Sequence, residues 1–183
     1  MIIEGLLCST QADGSPHVAP MGPVVDEQLT AWTLRPFQSS TTFQLLRAQP
    51  TCTFHVLDDV LPIVQAALGY ELDVAFQPHP QGGWIVASAC HWYRLKIVEW
   101  DVSRPRSEAR AEVLERGVLR PFWGWNRAKH AILEATILAT RLHLADRSSI
   151  LEDLARLAPA VDKTAGDRER RAWELVQHYI ASH

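Results

Sequence analysis

Leu34-Arg35-Pro36-Phe37-Gln38-Ser39-Ser40-Thr41-Thr42-Phe43-Gln44-Leu45-Leu46-Arg47-Ala48 decides how this chain is read. It runs from the end of a strand, through a hydroxyl-rich turn, into a short helix from about Thr42. One guanidinium (Arg35) and four successive hydroxyls (Ser39, Ser40, Thr41 and Thr42) converge where a helix start leaves backbone N–H groups without partners. Such a terminus favours an anion, because free donors and the positive end of the helix dipole coincide there. One Ser or Thr is an ordinary N-cap. Four of them beside an arginine exceed what a cap requires, and the ligand expected is a phosphate.

Composition narrows the kind of phosphate. A net charge of −3 over 183 residues argues against general nucleic-acid binding, which draws on a basic balance. A small-molecule phosphate is left. The hydrophobic share of 47%, against 21% charged residues, suits a soluble globular chain with a sizeable core. Cys8, Cys52 and Cys90 are far apart and follow no metal-binding or disulfide spacing, so reduced thiols in the cytoplasm are expected. Met1-Ile2-Ile3-Glu4 has no basic leader, and nothing approaches the apolar length of a membrane span. The histidines form no H-E-x-x-H, and G-x-S-x-G, Walker and G-x-G-x-x-G motifs are absent, which disfavours zinc, hydrolase and classical dinucleotide chemistry.

Outward from the opening stretch, the first hundred residues are β-prone. Strands are expected over Ile2–Thr10, His17–Val25, Leu29–Leu34 and Thr51–Leu57, with a turn at Asp13-Gly14. A helix from Val60 to Leu68 ends at Gly69, with Asp58 or Asp59 as its cap. Trp84–Val102 reads as two strands or one bulged strand. Beyond Arg104 the pattern turns helical: Glu108–Gly117, then Arg127–Leu144. Two more helices follow, introduced by Ser149-x-x-Glu152 and Thr164-x-x-Asp167 in the form of capping boxes, the last with Trp173, Val176 and Ile180 on one face. Short antiparallel strands without long crossover helices suggest a closed or split barrel. The expected organisation is a mainly β, α+β chain, with a barrel over 1–103 and a helical layer over 104–183.

Two further groups of residues carry candidate chemistry. Val18-Ala19-Pro20-Met21-Gly22-Pro23 has too many prolines for a central strand, so it is an edge or a bulge against which a flat ring could lie. Arg127, His130, Glu134 and Arg141 share one face at helical spacing, either as an ion-pair network or facing a ligand. Asn126 is the natural cap of that helix. His17 and His55 are the histidines to watch, each more often structural than catalytic.

Taken jointly, several motifs resemble the FMN-binding split-barrel proteins related to flavin reductases, and within them the family called domain of unknown function 447. They are Asp13 to Gly22, Leu34 to Phe37 and Ser40-x-Thr42, followed by Phe54-His55-Val56-x-Asp58-Asp59-Val60 and Ala66 to Gly69. Trp125 to Lys129, Ala139 to Leu142 and Asp162 to Gly166 complete the set. The resemblance implies a split barrel that dimerises and binds FMN near the subunit boundary. It implies that Arg35, Ser40, Thr41 and Thr42 hold the FMN phosphate, beside the Ser39 hydroxyl, and that the segment from His17 to Gly22, with Pro20 and Met21, runs along the isoalloxazine. Asn126, Arg127 and Arg141 are the contacts it implies from the helical part. His17 departs from the pattern, which has an asparagine there, and so does Leu45.

On this footing the chain is expected to be an FMN flavoprotein, an oxidoreductase that moves hydride or electrons between a nicotinamide donor and an acceptor. The alternative is a non-catalytic dimeric FMN-binding module or flavin carrier. A third is a barrel holding another planar phosphate ester, such as pyridoxal phosphate. No nucleic acid, membrane or metal is expected as a partner.

Overall fold

The first hairpin joins β1 (Gly5–Thr10) to β2 (Pro16–Met21), and Gly14, with a φ of 86°, makes the tight return at its tip. Beyond the bend at Gly22 and Pro23 the chain resumes as β3 (Val24–Val25), in register with the residues before β1. Ile2 bridges Val24, the Ile3 amide donates to the Pro23 carbonyl, and Val25 and Met1 exchange hydrogen bonds. The expected strand from His17 to Val25 is therefore two pieces, split where Pro23 and Gly22 break the ladder. The other side of β3 is taken by β4 (Ala31–Leu34).

Next come α1 (Thr41–Ala48) and β5 (Thr51–Val56), then α2 (Leu61–Leu68), β6 (Phe76–Pro78), β7 (Trp84–Val86), β8 (His91–Asp101) and β9 (Glu108–Val118). The chain ends with α3 (Arg127–Ala139), α4 (Arg147–Thr164) and α5 (Asp167–Ser182). This computed structural model describes residues 1–144 and 146–183 and divides them into two units. One is Met1–Leu57 with Val74–Phe122; the other is Asp58–Asp73 with Trp123–His183. The architecture is mixed α+β.

The first unit is a seven-stranded antiparallel sheet in the order β2-β1-β5-β8-β9-β4-β3. Because Ile2 bridges Val24, its two ends meet and the sheet curls on itself. Leu7, Trp32, Leu34, Phe54, Tyr93 and Leu95 fill the interior, with the Trp32 ring 5.2 Å from Phe54 and 4.9 Å from Tyr93. The β6–β7 hairpin joins this unit through His55 and Trp84: His55 accepts a hydrogen bond from the Val86 amide, and the Trp84 indole donates to the Gly14 carbonyl.

Glu108–Val118 corrects the sequence expectation, since it is a strand and not a helix. Ala109 and Ala111 point into the core while Glu108, Arg110 and Glu112 are exposed, a period of two whose fully buried members are both alanine, with Val113 partly buried after them. Gly117 ends no helix. It lies opposite Trp92 in the ladder, and a Cβ there would meet the indole at 2.5 Å, so the glycine makes room for the ring. The first unit accordingly continues to Phe122, past the Arg104 boundary expected from the sequence.

The second unit packs α2, α3, α4 and α5 around Leu61, Val64, Ile132, Ile150, Trp173, Val176 and Ile180. Asp59 Oδ1 accepts from the Leu61 amide at the start of α2, while its Oδ2 pairs with Arg168 at 2.6 Å. Neither expected capping box stands in its place. Asp146 caps α4, accepting from Ser148 and Ser149, and at α5 the Glu169 carboxylate accepts from the Gly166 amide at 2.9 Å. Thr164 is instead the last residue of α4.

Candidate anion site at the start of α1

Residues 35–40 connect β4 to α1, and 35–38 are fastened to the turn between β8 and β9. The Gln38 amide donates to the Pro105 carbonyl, and its side-chain amide to the Val102 and Arg104 carbonyls at 3.0 and 2.7 Å. Ser107 binds the Pro36 carbonyl with both its amide and its hydroxyl, and Arg106 donates to the Arg35 carbonyl while lying over the Phe37 ring. A loop held at so many points presents its side chains on a fixed base. Arg35 contributes the least expected atom. Its Nε is buried and has no hydrogen-bond partner among the described residues, an arrangement that normally costs free energy unless a further group completes it.

The four hydroxyls separate by role. Ser40 is the N-cap: its Oγ accepts from the Phe43 amide at 3.2 Å and donates to the Phe37 carbonyl at 2.7 Å. The Gln44 amide bonds the Ser40 carbonyl. That leaves the Thr41 and Thr42 amides as the donors of the first turn without an acceptor among the described residues. The Ser39 and Thr41 side chains are exposed. Thr42 is buried, and its Oγ lies 3.1 Å from His17 Nε2. Leu46, fully buried in the barrel core, fixes the helix, and Phe43 meets Trp100 edge-on at 5.0 Å.

The His17–Thr42 bond therefore brings together two segments that the sequence placed in one site. His17 is half-buried, and burial holds its imidazole below the ordinary histidine range, favouring the neutral ring. Across the ladder from it stands Ser9, buried, with a hydroxyl that finds no partner among the described residues. Sequence reasoning passed over Ser9, yet counting back from the Asp13-Gly14 turn pairs it with His17.

β2 is the outermost strand of its sheet, as its prolines require. Bonded pairs at Met1/Val25, Ile3/Pro23 and Gln11/Ser15 fix the alternation of the ladder. The amides of His17, Ala19 and Met21 consequently face β1, and positions 16, 18, 20 and 22 face outward. Pro16 and Pro20 have no N–H, so Val18 and Gly22 supply the donors of this edge. The expectation that Gly22 admits an outside group needs revising. A Cβ there would meet the Glu4 carboxylate at 2.7 Å and Ile2 at 2.8 Å, so the chain's own N-terminal segment occupies that space.

In the second unit Asn126 is the cap of α3, its Oδ1 accepting from the Lys129 amide and its Nδ2 donating to the Thr164 carbonyl. Arg127, His130 and Glu134 are exposed on α3 and enter no ion pair among the described residues. Arg141 lies past the end of the helix at Ala139, so the expected four-residue face is interrupted. His55 is structural. Because a carbonyl can only accept, its Nδ1 must carry the proton donated to Leu6 O at 3.2 Å, and Nε2 accepts from Val86 N–H at 3.1 Å.

Comparison with solved structures places the fold. An FMN-bound protein from Methanosarcina mazei superposes with a TM-score of 0.82 at 21% identity, over 97% of this chain and 94% of that one. The flavin reductase of styrene monooxygenase from Pseudomonas putida gives 0.55 at 14% identity, over 64% and 80%. An NADH:FAD oxidoreductase from Streptomyces globisporus gives 0.54 at 14%, over 63% and 69%. Comparison with curated protein sequences gives no match. Residues 3–120 match the N-terminal domain of the family described as a protein of unknown function, DUF447, and residues 126–178 match the remainder of that family's pattern. With most of its length covered by the two matches, the chain belongs to the DUF447 family.

Proposed function

We propose that the chain is an FMN-binding flavoprotein that works as a homodimeric oxidoreductase, passing hydride between a nicotinamide nucleotide and a small acceptor. The observation that carries the cofactor is the incomplete hydrogen bonding at the start of α1. The Thr41 and Thr42 amides and the buried Arg35 Nε are donors without acceptors among the described residues, and the exposed Ser39 and Thr41 hydroxyls stand beside those amides in sequence. A phosphate supplies acceptors of the right charge for such a donor set. Similarity to an FMN-bound protein and to flavin reductases supports the same choice.

A bound flavin would supply the hydride chemistry, and the protein its binding, orientation and electrostatics. Arg35 and the first turn of α1 hold the phosphate. The outer edge of β2 offers the Val18 amide and the carbonyls of Val18 and Pro20 to the polar rim of a ring. In the ligand-free protein, burial favours the neutral form of His17. Support for the dimer comes from Trp123 and Trp125, each 85% exposed in the single chain, far more than indoles normally show. The three cysteines are buried and form no disulfide among the described residues, and no helix among those residues is long and apolar enough to cross a membrane.

The test is the absorbance of freshly purified protein, followed by titration with FMN and riboflavin. FMN is expected to bind more tightly than riboflavin, and Arg35→Ala to lose about 1.5–3 kcal/mol of FMN affinity with riboflavin unaffected. Equal binding of the two flavins by the unmodified protein would refute the phosphate site.

A further inference from the structure

Thr42 has one hydroxyl proton, and its direction depends on His17. The two atoms are 3.1 Å apart, so one donates to the other. If His17 carries its proton on Nδ1, Nε2 accepts and the Thr42 proton is drawn to the imidazole. If the proton is on Nε2, the imidazole donates and the Thr42 proton is free to reach an anion at the helix start. The second arrangement leaves Nδ1 as an acceptor in need of a donor. Ser9 stands across the ladder from His17, on the same face of the sheet, buried at 3% exposure and with a hydroxyl lacking a partner among the described residues. The Ser9 hydroxyl makes no hydrogen bond to the ring in this structure, so the free protein fixes neither arrangement, and an anion at the helix start selects the one that turns the Thr42 proton outward.

Resting on the phosphate reading of the α1 terminus, we infer that His17 is a positioning residue: it releases the Thr42 hydroxyl as a donor to the ligand's phosphate and thereby sets the preference for phosphorylated over unphosphorylated flavin. Binding of the anion fixes the Nε2–H form and draws a second proton toward Nδ1. Few other groups compete for this linkage. From β1 the neighbours are Ser9 and, on the opposite face, Cys8, whose thiol burial pushes up to about 12. From α1 they are Thr42 and, in the last turn, Arg47; neither element has a carboxylate. The ligand contributes its own titration, since a phosphate monoester loses its second proton near pH ~6.

The experiment titrates FMN and riboflavin into the protein, His17→Phe, His17→Gln and Thr42→Val between pH 6 and 8. Calorimetry at pH 7 in two buffers of different ionisation enthalpy counts the protons taken up on binding. His17→Phe and Thr42→Val are each expected to weaken FMN by about 10- to 100-fold more than they weaken riboflavin. His17→Gln, whose amide reaches the position of Nε2 and can still donate to Thr42, should restore most of the affinity but none of the histidine-linked proton uptake. In ¹⁵N spectra of the unmodified protein, FMN should shift His17 to the Nε2–H form and riboflavin should not. Equal loss of both flavins in His17→Phe would assign a purely structural role and overturn the inference, as would unchanged proton uptake in His17→Gln. Absence of any FMN preference in the unmodified protein would instead overturn the phosphate site itself, a distinguishable failure.

Discussion

Lowering the pH should unfold this protein through His55. The imidazole is fully buried between the Leu6 carbonyl and the Val86 amide, with both ring nitrogens engaged in the neutral form. A second proton would sit on Nε2, facing the Val86 N–H and leaving two donors against each other. Burial pushes the histidine down from 6.5 to about 4, opposed in part by the hydrogen bond to Leu6. Between these values the unfolded chain binds the proton and the folded chain does not, so stability rises with pH across that window. The contribution is complete above pH ~6.5 and lost as pH falls toward ~4, amounting to about 2 kcal/mol by pH 5 and about 3 kcal/mol by pH 4. Against a typical total of 5–15 kcal/mol this is a large share. Urea unfolding at half-unit steps from pH 7.5 to 4 reads it directly, with His55→Gln as the comparison, because its amide can donate to Leu6 and accept from Val86. The expected result is a lower-stability variant whose curve is flatter by roughly one proton between pH 4 and 6.5. If both proteins show the same pH slope, the acid sensitivity lies elsewhere and the linkage assigned to His55 is wrong.

Gly117→Ala should cost about 1–3 kcal/mol and change the near-ultraviolet circular dichroism, because its Cβ would meet the Trp92 indole at 2.5 Å, and that ring is itself held edge-on to His79. An unchanged melting temperature would mean that the indole moves aside freely. Asp146→Ala should lower the stability of α4 by about 1 kcal/mol in thermal unfolding through loss of its cap, with Asp146→Asn close to neutral.

Local chemistry made the first half of the chain legible. The Asp13-Gly14 turn, the prolines of β2, the hydroxyls before α1 and the glycine after α2 each restrict the backbone within a few residues, and each element lies where that restriction puts it. β9 was hidden because its composition and its environment disagree. Glu, Ala, Arg and Leu favour a helix in isolation. The strand is stabilised instead by its neighbours: Arg110 pairs with Glu99 at 2.9 Å, Glu112 lies opposite Lys96, and alanines fit an interior already filled by Trp32 and Tyr93. None of these partners is near in sequence, so no window across Glu108–Gly117 contains the reason for its conformation. The caps of α4 and α5 went astray differently. Ser149 and Thr164 have suitable side chains, but Asp146 starts its helix earlier and Thr164 is still inside one.

The candidate site shows the same division at finer grain. Which hydroxyls accumulate before α1 is written in the sequence, but which of them remain available depends on contacts made elsewhere. Ser40 is taken by the helix it begins, and Thr42 by a histidine twenty-five residues earlier in the chain. Those assignments leave Arg35, Ser39, Thr41 and two backbone amides as donors to a ligand, and Thr42 only when His17 donates to its oxygen and frees its proton. A sequence reading that counts four equivalent hydroxyls therefore overstates the side-chain donors and overlooks the peptide groups. The distinction has a measurable consequence. Were the hydroxyls the principal donors, removing Ser39 and Thr41 together would abolish phosphate discrimination. If the amides and Arg35 dominate, Ser39→Ala/Thr41→Ala should keep a clear preference for FMN over riboflavin, because helix-terminal N–H groups survive any side-chain truncation.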